Sequence, residues 1–221
     1  MSDTGGFSLV LPHWLYWGWL AVMPLIMMAL SKKSSPLDED VDTADQVEEV
    51  KAGNKFTDVL DWISEKSGVF VSFWTVNAVC FYFFEVIMRY LFNQPTIWVH
   101  EASYLLFGMQ YLLAGAFTLL HGGHVRVDVV YNLLPARGRV GMDIFTSMFF
   151  FLFALALALT SYTFFIGSFG MDERTIETWE VQYWPVKGVM LLGAVLILLA
   201  GISKLIKDVR LFIRMGEPTH E

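Results

Sequence analysis

Five predominantly apolar stretches alternate along the chain with short charged segments, at residues 9–30, 69–91, 98–120, 144–166 and 185–206. At ~1.5 Å of rise per helical residue, each reaches across a hydrocarbon core of ~30 Å. No water is available there to satisfy backbone N–H and C=O groups, so each stretch is expected to be a helix. The pattern predicts an all-α integral membrane protein that crosses the bilayer five times.

The polar intervals predict the remaining organisation. Residues 31–54 form a linker carrying seven acids, Asp38, Glu39, Asp40, Asp42, Asp45, Glu48 and Glu49. Such a composition favours a solvated, flexible segment. In residues 55–67, Phe56, Val59, Leu60 and Ile63 recur at helical spacing, with Lys55, Asp58, Asp61 and Glu65 between them. This predicts an amphipathic helix, either lying along the membrane surface or capping the second span. Pro24 predicts a kink in the first span, and Trp14, Trp17 and Trp19 suit a membrane interface. That span lacks a basic leader and a small-residue cleavage site, so it is expected to be retained rather than removed as a signal peptide.

Composition narrows the function classes. Apolar residues make up 55% of the 221, with 19 Phe and a mean hydropathy of +0.51. That exceeds the ~45–50% of soluble domains and leaves no segment long enough for a separate catalytic domain, so no enzymatic activity is expected. Cys80 is the single cysteine, which excludes an internal disulfide and any cysteine-held metal cluster. The net charge of −7 is concentrated in the linker, and no basic patch of nucleic-acid type exists.

Basic residues set the expected orientation. With residues 31–66, 121–139 and the tail after 201 in the cytoplasm, the inner side holds 12 of the 15 Lys and Arg residues; Arg89, Arg174 and Lys187 lie outside. The N-terminus is then periplasmic and the C-terminus, with residues 215–221 as a tail, cytoplasmic.

Ionisable groups lie near the span ends. Glu85 and Arg89 stand four apart, and Glu101 opens the next span at a similar depth. Arg89 is expected between the two carboxylates, locking the hairpin of spans two and three. A coupling-ion or proton site at this triad is the functional alternative. A haem anchor would need imidazoles inside the bundle, whereas His13, His100, His121 and His124 fall at span ends and His220 in the tail. His121 and His124 have helical spacing, but Gly122 and Gly123 between them are expected to end the helix. Val125, Val129, Val130 and Leu134 then predict a surface helix that stops at Pro135, with Arg126 meeting lipid headgroups and Asp128 pairing with a histidine or a neighbouring subunit. No metal site is expected there. Ala154, Ala158, Gly193, Ala194, Ala200 and Gly201 mark close helix packing. The sequence shows neither a polar midplane nor broken helices.

From residue 84 onward the chain resembles the small (Q-type, DctQ-like) permease subunit of the tripartite ATP-independent periplasmic (TRAP) transporters. The resemblance rests on Arg89-Tyr-Leu-Phe-Asn93, Trp98-Val-His-Glu101, His121-Gly-Gly-His-Val-Arg-Val-Asp128, Leu133-Leu-Pro135 and Tyr183-Trp-Pro-Val-Lys187, in that order. It covers about residues 69–214 and implies a four-span core, 68–214, to which residues 1–30 add an extra N-terminal transmembrane helix. His100 stands where many relatives carry a second acid. The resemblance implies a sodium-driven, binding-protein-dependent transporter of organic acids in the bacterial inner membrane. Its partners would be a large permease subunit, a periplasmic solute-binding protein and membrane lipid. Sodium and substrate would bind in the large subunit, leaving this chain without a cofactor. Glu85, Arg89, Trp98, Glu101, His121, His124, Arg126 and Asp128 would then be structural or subunit-contact residues. The alternatives are a membrane anchor of a redox enzyme, a self-sufficient small transporter, and an assembly protein unrelated to transport.

Overall fold

The computed structural model describes residues 10–30, 54–123 and 134–215, and each apolar stretch within them forms an α-helix. These are α1 (His13–Leu30), α2 (Lys55–Tyr90), α3 (Val99–Leu120), α4 (Ala136–Gly170) and α5 (Trp184–Arg214). All five are long and apolar enough to cross a membrane. Among the described residues, extended pairing is limited to one isolated bridge, Arg174 with Gln182. The all-α membrane fold with an added N-terminal helix is as expected.

Packing runs from α4 to α5, α5 to α3 and α3 to α2; α2 also touches α5, and α1 rests on α2. The bundle therefore has a loop end, with the α2–α3 turn and residues 171–183, and a lysine end, with Lys204 and Lys207. Close approach comes from small residues. A Cβ on Gly193 would stand 2.7 Å from the Leu112 carbonyl oxygen, so α5 meets the α3 backbone where only glycine fits. Ala154, Ala194, Ala200 and Gly201 are also buried, and a Cβ on Gly201 would meet the Phe150 ring.

The first turns of α2 follow the second of the two readings of this segment, a cap to the second span. Residues 55–67 do not form a separate interfacial helix; they continue into the second span as one 36-residue helix. A capping box starts it, with the Asn54 N–H donating to Thr57 Oγ1 at 2.7 Å and the Lys55 N–H to Asn54 Oδ1 at 2.9 Å. At ~1.5 Å per residue this helix is about 54 Å long, well beyond the hydrocarbon thickness. Its inward face mixes apolar and polar side chains. Thr57, Leu60 and Ser64 are buried against the bundle, whereas Phe56, Val59 and Trp62 are exposed. The bundle supplies polar partners here, with Ser203 Oγ donating to Asp61 Oδ1 at 2.6 Å, so polar side chains share the inward face with Leu60.

Two helix irregularities have local answers. Gly122 takes φ 64°, and the amides of Gly122 and Gly123 donate to the carbonyls of Leu119 (3.2 Å) and Thr118 (2.9 Å). This glycine-closed terminus ends α3 where the sequence placed it. In α1, Pro24 has no N–H to give the Leu20 carbonyl one turn back. The Trp74 indole on α2 donates to that oxygen at 2.9 Å and fills the gap.

Candidate functional site

Polar side chains collect in three layers. At the loop end, Glu85 pairs with Arg89 on its own helix, its Oε1 accepting from Arg89 Nε at 3.0 Å. Its other oxygen accepts from the Thr96 amide at 3.0 Å and from the Thr96 hydroxyl. Glu85 thus pins the α2–α3 turn, in which Asn93 adopts φ 53°.

Glu101 does not join this pair, contrary to the expected triad. It is buried, and its Oε1 accepts the hydroxyl of Thr175 in the α4–α5 loop. Its Oε2 has no hydrogen-bond partner among the described residues. The reason is geometric: the α2–α3 turn supplies its own hydroxyl to Glu85, while the later loop folds over Glu101.

That loop is braced from below. The Thr175 amide donates to Val181 O at 2.9 Å and the Tyr183 amide to Glu173 O at 2.9 Å. Trp179 donates its indole N–H to Leu11 O at 3.0 Å, and its carbonyl lies 3.0 Å from His13 Nε2. Tyr16 donates to Ala102 O at 2.7 Å. Trp98 is buried here, packing on Phe81, Phe84 and Trp179. Lys187 beside Glu173 holds that carboxyl below its ordinary value. The loop lifts Ile176 fully into the open.

The lysine end holds a second network. Asp61 on α2 pairs with Lys207 on α5 and accepts from Ser203 Oγ at 2.6 Å. Lys207 and Asp208 are both buried, and Lys204 lies 3.5 Å from Asp208. His121 Nε2 approaches Glu65 at 3.4 Å, and its Nδ1 lies 3.0 Å from its own helix's Phe117 carbonyl. His124, Arg126, Asp128 and nearly all of the expected surface helix lie outside the described residues. Among the described residues, no three His, Cys, Asp or Glu side chains converge as a metal-donor set.

The middle layer was not anticipated. Gln110 Nε2 donates to Thr75 Oγ1 at 2.7 Å between α3 and α2, and Trp19 donates to Asn77 Oδ1 at 2.8 Å between α1 and α2. The midplane therefore does carry polar groups. The Asp61–Lys207 pair was also missed, although a signal existed. Gly193, Leu196, Ala200, Ser203 and Lys207 recur at three- and four-residue intervals, and all are buried, so Lys207 sits on the inward stripe.

This arrangement defines a class: a multi-pass helical membrane protein whose ion pairs, among the described residues, lie near its two ends. The sequence model describing the DctQ component of tripartite ATP-independent periplasmic transporters matches residues 78–211, from the second half of α2 into α5. The chain belongs to that family of transporter subunits. Over 57 residues it is 40% identical to a C4-dicarboxylate TRAP transporter small permease protein, DctQ, from Vibrio cholerae serotype O1. That segment is 26% of this chain and 25% of the relative, so the match spans about a quarter of the relative's length. The helix α1 and the first turns of α2 lie outside the family match.

Proposed function

We propose that the chain is the scaffold-forming small subunit of a sodium-driven, binding-protein-dependent secondary transporter for organic acids. The observation that supports this best is the continuity of the matched region, where α2, α3, α4 and α5 run unbroken for 36, 22, 35 and 31 residues. Secondary transporters build substrate and ion sites from interrupted helices near the midplane. Substrate and sodium are accordingly assigned to a large permease subunit, and solute capture to a periplasmic binding protein. C4-dicarboxylates, for which the Vibrio relative is named, are the first substrates to test.

The proposed location is the bacterial inner membrane, with the N-terminus periplasmic, the C-terminus cytoplasmic and the loop end outside. Glu85, Arg89, Trp98 and Glu101 then organise the periplasmic end. His121, His124, Arg126 and Asp128 serve as a subunit contact on the cytoplasmic side. Liposome uptake tests the reading: the full chain with its large subunit and binding protein should accumulate dicarboxylate in a sodium gradient. Uptake by this chain alone would refute it.

A further inference from the structure

Residues 173–183, between α4 and α5, form a small hairpin that is braced within itself. The amides of Thr175 and Tyr183 donate to Val181 O and Glu173 O, and Arg174 bridges to Gln182. Such a unit can swing as one piece without losing those bonds. It leaves α4 through Asp172, whose φ of 45° lies in the left-handed region that residues with a Cβ seldom adopt. The hairpin closes over Glu101, a residue that is 2% exposed. The closure is incomplete in its bonding. Glu101 Oε1 accepts the Thr175 hydroxyl, while Oε2 has no hydrogen-bond partner among the described residues. A buried carboxylate oxygen without a donor favours a state in which water reaches it. Both the Asp172 backbone and this oxygen therefore favour opening.

What opposes opening comes from a distant part of the chain. Trp179 on the hairpin donates its indole N–H to Leu11 O at 3.0 Å, and its carbonyl lies 3.0 Å from His13 Nε2. Its ring meets those of His13 and Tyr16 edge-on, with centroids 5.3 and 5.2 Å apart. These partners are themselves anchored. Tyr16 donates to Ala102 O on α3, and α1 is tied to α2 by the Trp19–Asn77 and Trp74–Leu20 bonds. Trp179 is thereby 4% exposed, whereas Ile176, three residues before it, stands fully in the open. The hairpin lies inside the family match at residues 78–211, and the helix that holds it lies outside.

We propose that residues 173–183 are a lid over the buried Glu101 carboxylate, and that the N-terminal end of α1 is the catch that keeps it shut. The lid has a closed and an open state, and the contacts of Trp179 with Leu11, His13 and Tyr16 set their balance. Opening breaks the Thr175–Glu101 bond and brings the carboxylate to the surface at the loop end. The added first helix thus controls access to an acidic group of the four-helix core. The inference concerns this chain by itself and does not rest on the transport reading.

Carboxyl labelling of the full chain with a water-soluble carbodiimide and an amine, read by peptide mass spectrometry, tests the lid. Two internal controls are present: Asp208 at the lysine end is buried like Glu101, and Glu177 on the lid is exposed. In the parent, Glu101 should label more slowly than Glu177 and faster than Asp208. His13→Phe and Trp179→Phe each keep an aromatic ring and remove one polar contact of the catch. Each should speed labelling of Glu101 about fivefold, the change that loss of one hydrogen bond brings, with Glu177 and Asp208 unchanged. Trp14→Phe, at an exposed position of α1, should alter none of the three. Unchanged labelling of Glu101 in both catch variants overturns the inference. A parallel rise at Asp208 also overturns it, because the whole bundle would then have loosened. If neither variant folds, the parent alone decides: Glu101 labelled no faster than Asp208, or as fast as Glu177, overturns the lid.

Discussion

At the lysine end, the carboxylate of Asp61 on α2 faces the ammonium of Lys207 on α5, and this ion pair joins two helices directly. At the loop end, Glu85 and Glu101 reach across the chain to the threonine hydroxyls of Thr96 and Thr175, and the cation paired with Glu85, Arg89, comes from Glu85's own helix and is half exposed. The difference lies in which contacts need charge. A buried ammonium tolerates little but an anion, whereas a hydroxyl donor is satisfied equally well by a neutral carbonyl. The Asp61–Lys207 contact is therefore an electrostatic joint, and the contacts of Glu85 and Glu101 with their threonines are hydrogen-bonded ones.

The largest test breaks the joint. Asp61→Leu leaves Lys207 uncompensated and should cost about 3–5 kcal/mol in detergent thermal unfolding. Adding Lys207→Leu should recover most of that loss. A double variant as unstable as the single one would show that the pairing of charge is not what matters there.

Next comes Trp74→Phe, which removes the donor from the Leu20 carbonyl. A cost of about 1–3 kcal/mol is expected, read as faster hydrogen exchange in α1 while α3 and α5 stay protected. Uniform loss of protection would mean that α1 is integral to the core and not a separately held element.

Glu101→Gln sharpens the contrast, because an amide oxygen can still accept from Thr175. Its cost should stay below about 1 kcal/mol, far from that of Asp61→Leu. A loss of equal size would erase the distinction between the two ends.

The smallest effect concerns Glu173, partly exposed and held below its ordinary value of 4.5 by Lys187. A depressed folded-state value means that the pair stabilises above the ordinary value and that this contribution is lost as pH falls through the lower, folded one. Lys187→Met should therefore lower stability at neutral pH by about 0.2–1 kcal/mol, with the difference from the parent vanishing as pH falls below the folded-state value, so that the acid limb of the melting-temperature profile flattens.

Much of this architecture was legible in the sequence, for identifiable reasons. Span positions follow from apolar length alone, and the α3 terminus follows from two glycines where left-handed backbone is needed. Partners were harder to read. Asp61 and Lys207 lie 146 residues apart, and each alone resembles an ordinary charge near a membrane surface. Glu101 was assigned to the nearest cation in sequence, while its actual partner comes from a loop 74 residues on. Helical spacing marked the start of α2, but spacing alone does not show whether such a segment runs on into the next span, as it does here. Gln110 and Thr75 drew no notice because each is a single polar residue in an otherwise apolar span.

The Leu20 carbonyl also bears on how the chain is made. The helix α1 emerges before α2 during synthesis, with a backbone oxygen at Leu20 that has lost its usual helical donor to Pro24. Its donor, Trp74, arrives 54 residues later. Until then the first span is an incomplete membrane segment, suited to remaining beside the insertion machinery instead of drifting into lipid. Its release is then expected to follow the entry of α2, and a chain halted before Trp74 should stay in contact with the translocon longer than one halted far enough on for α2 to have left the ribosome, as site-specific crosslinking of stalled chains would reveal.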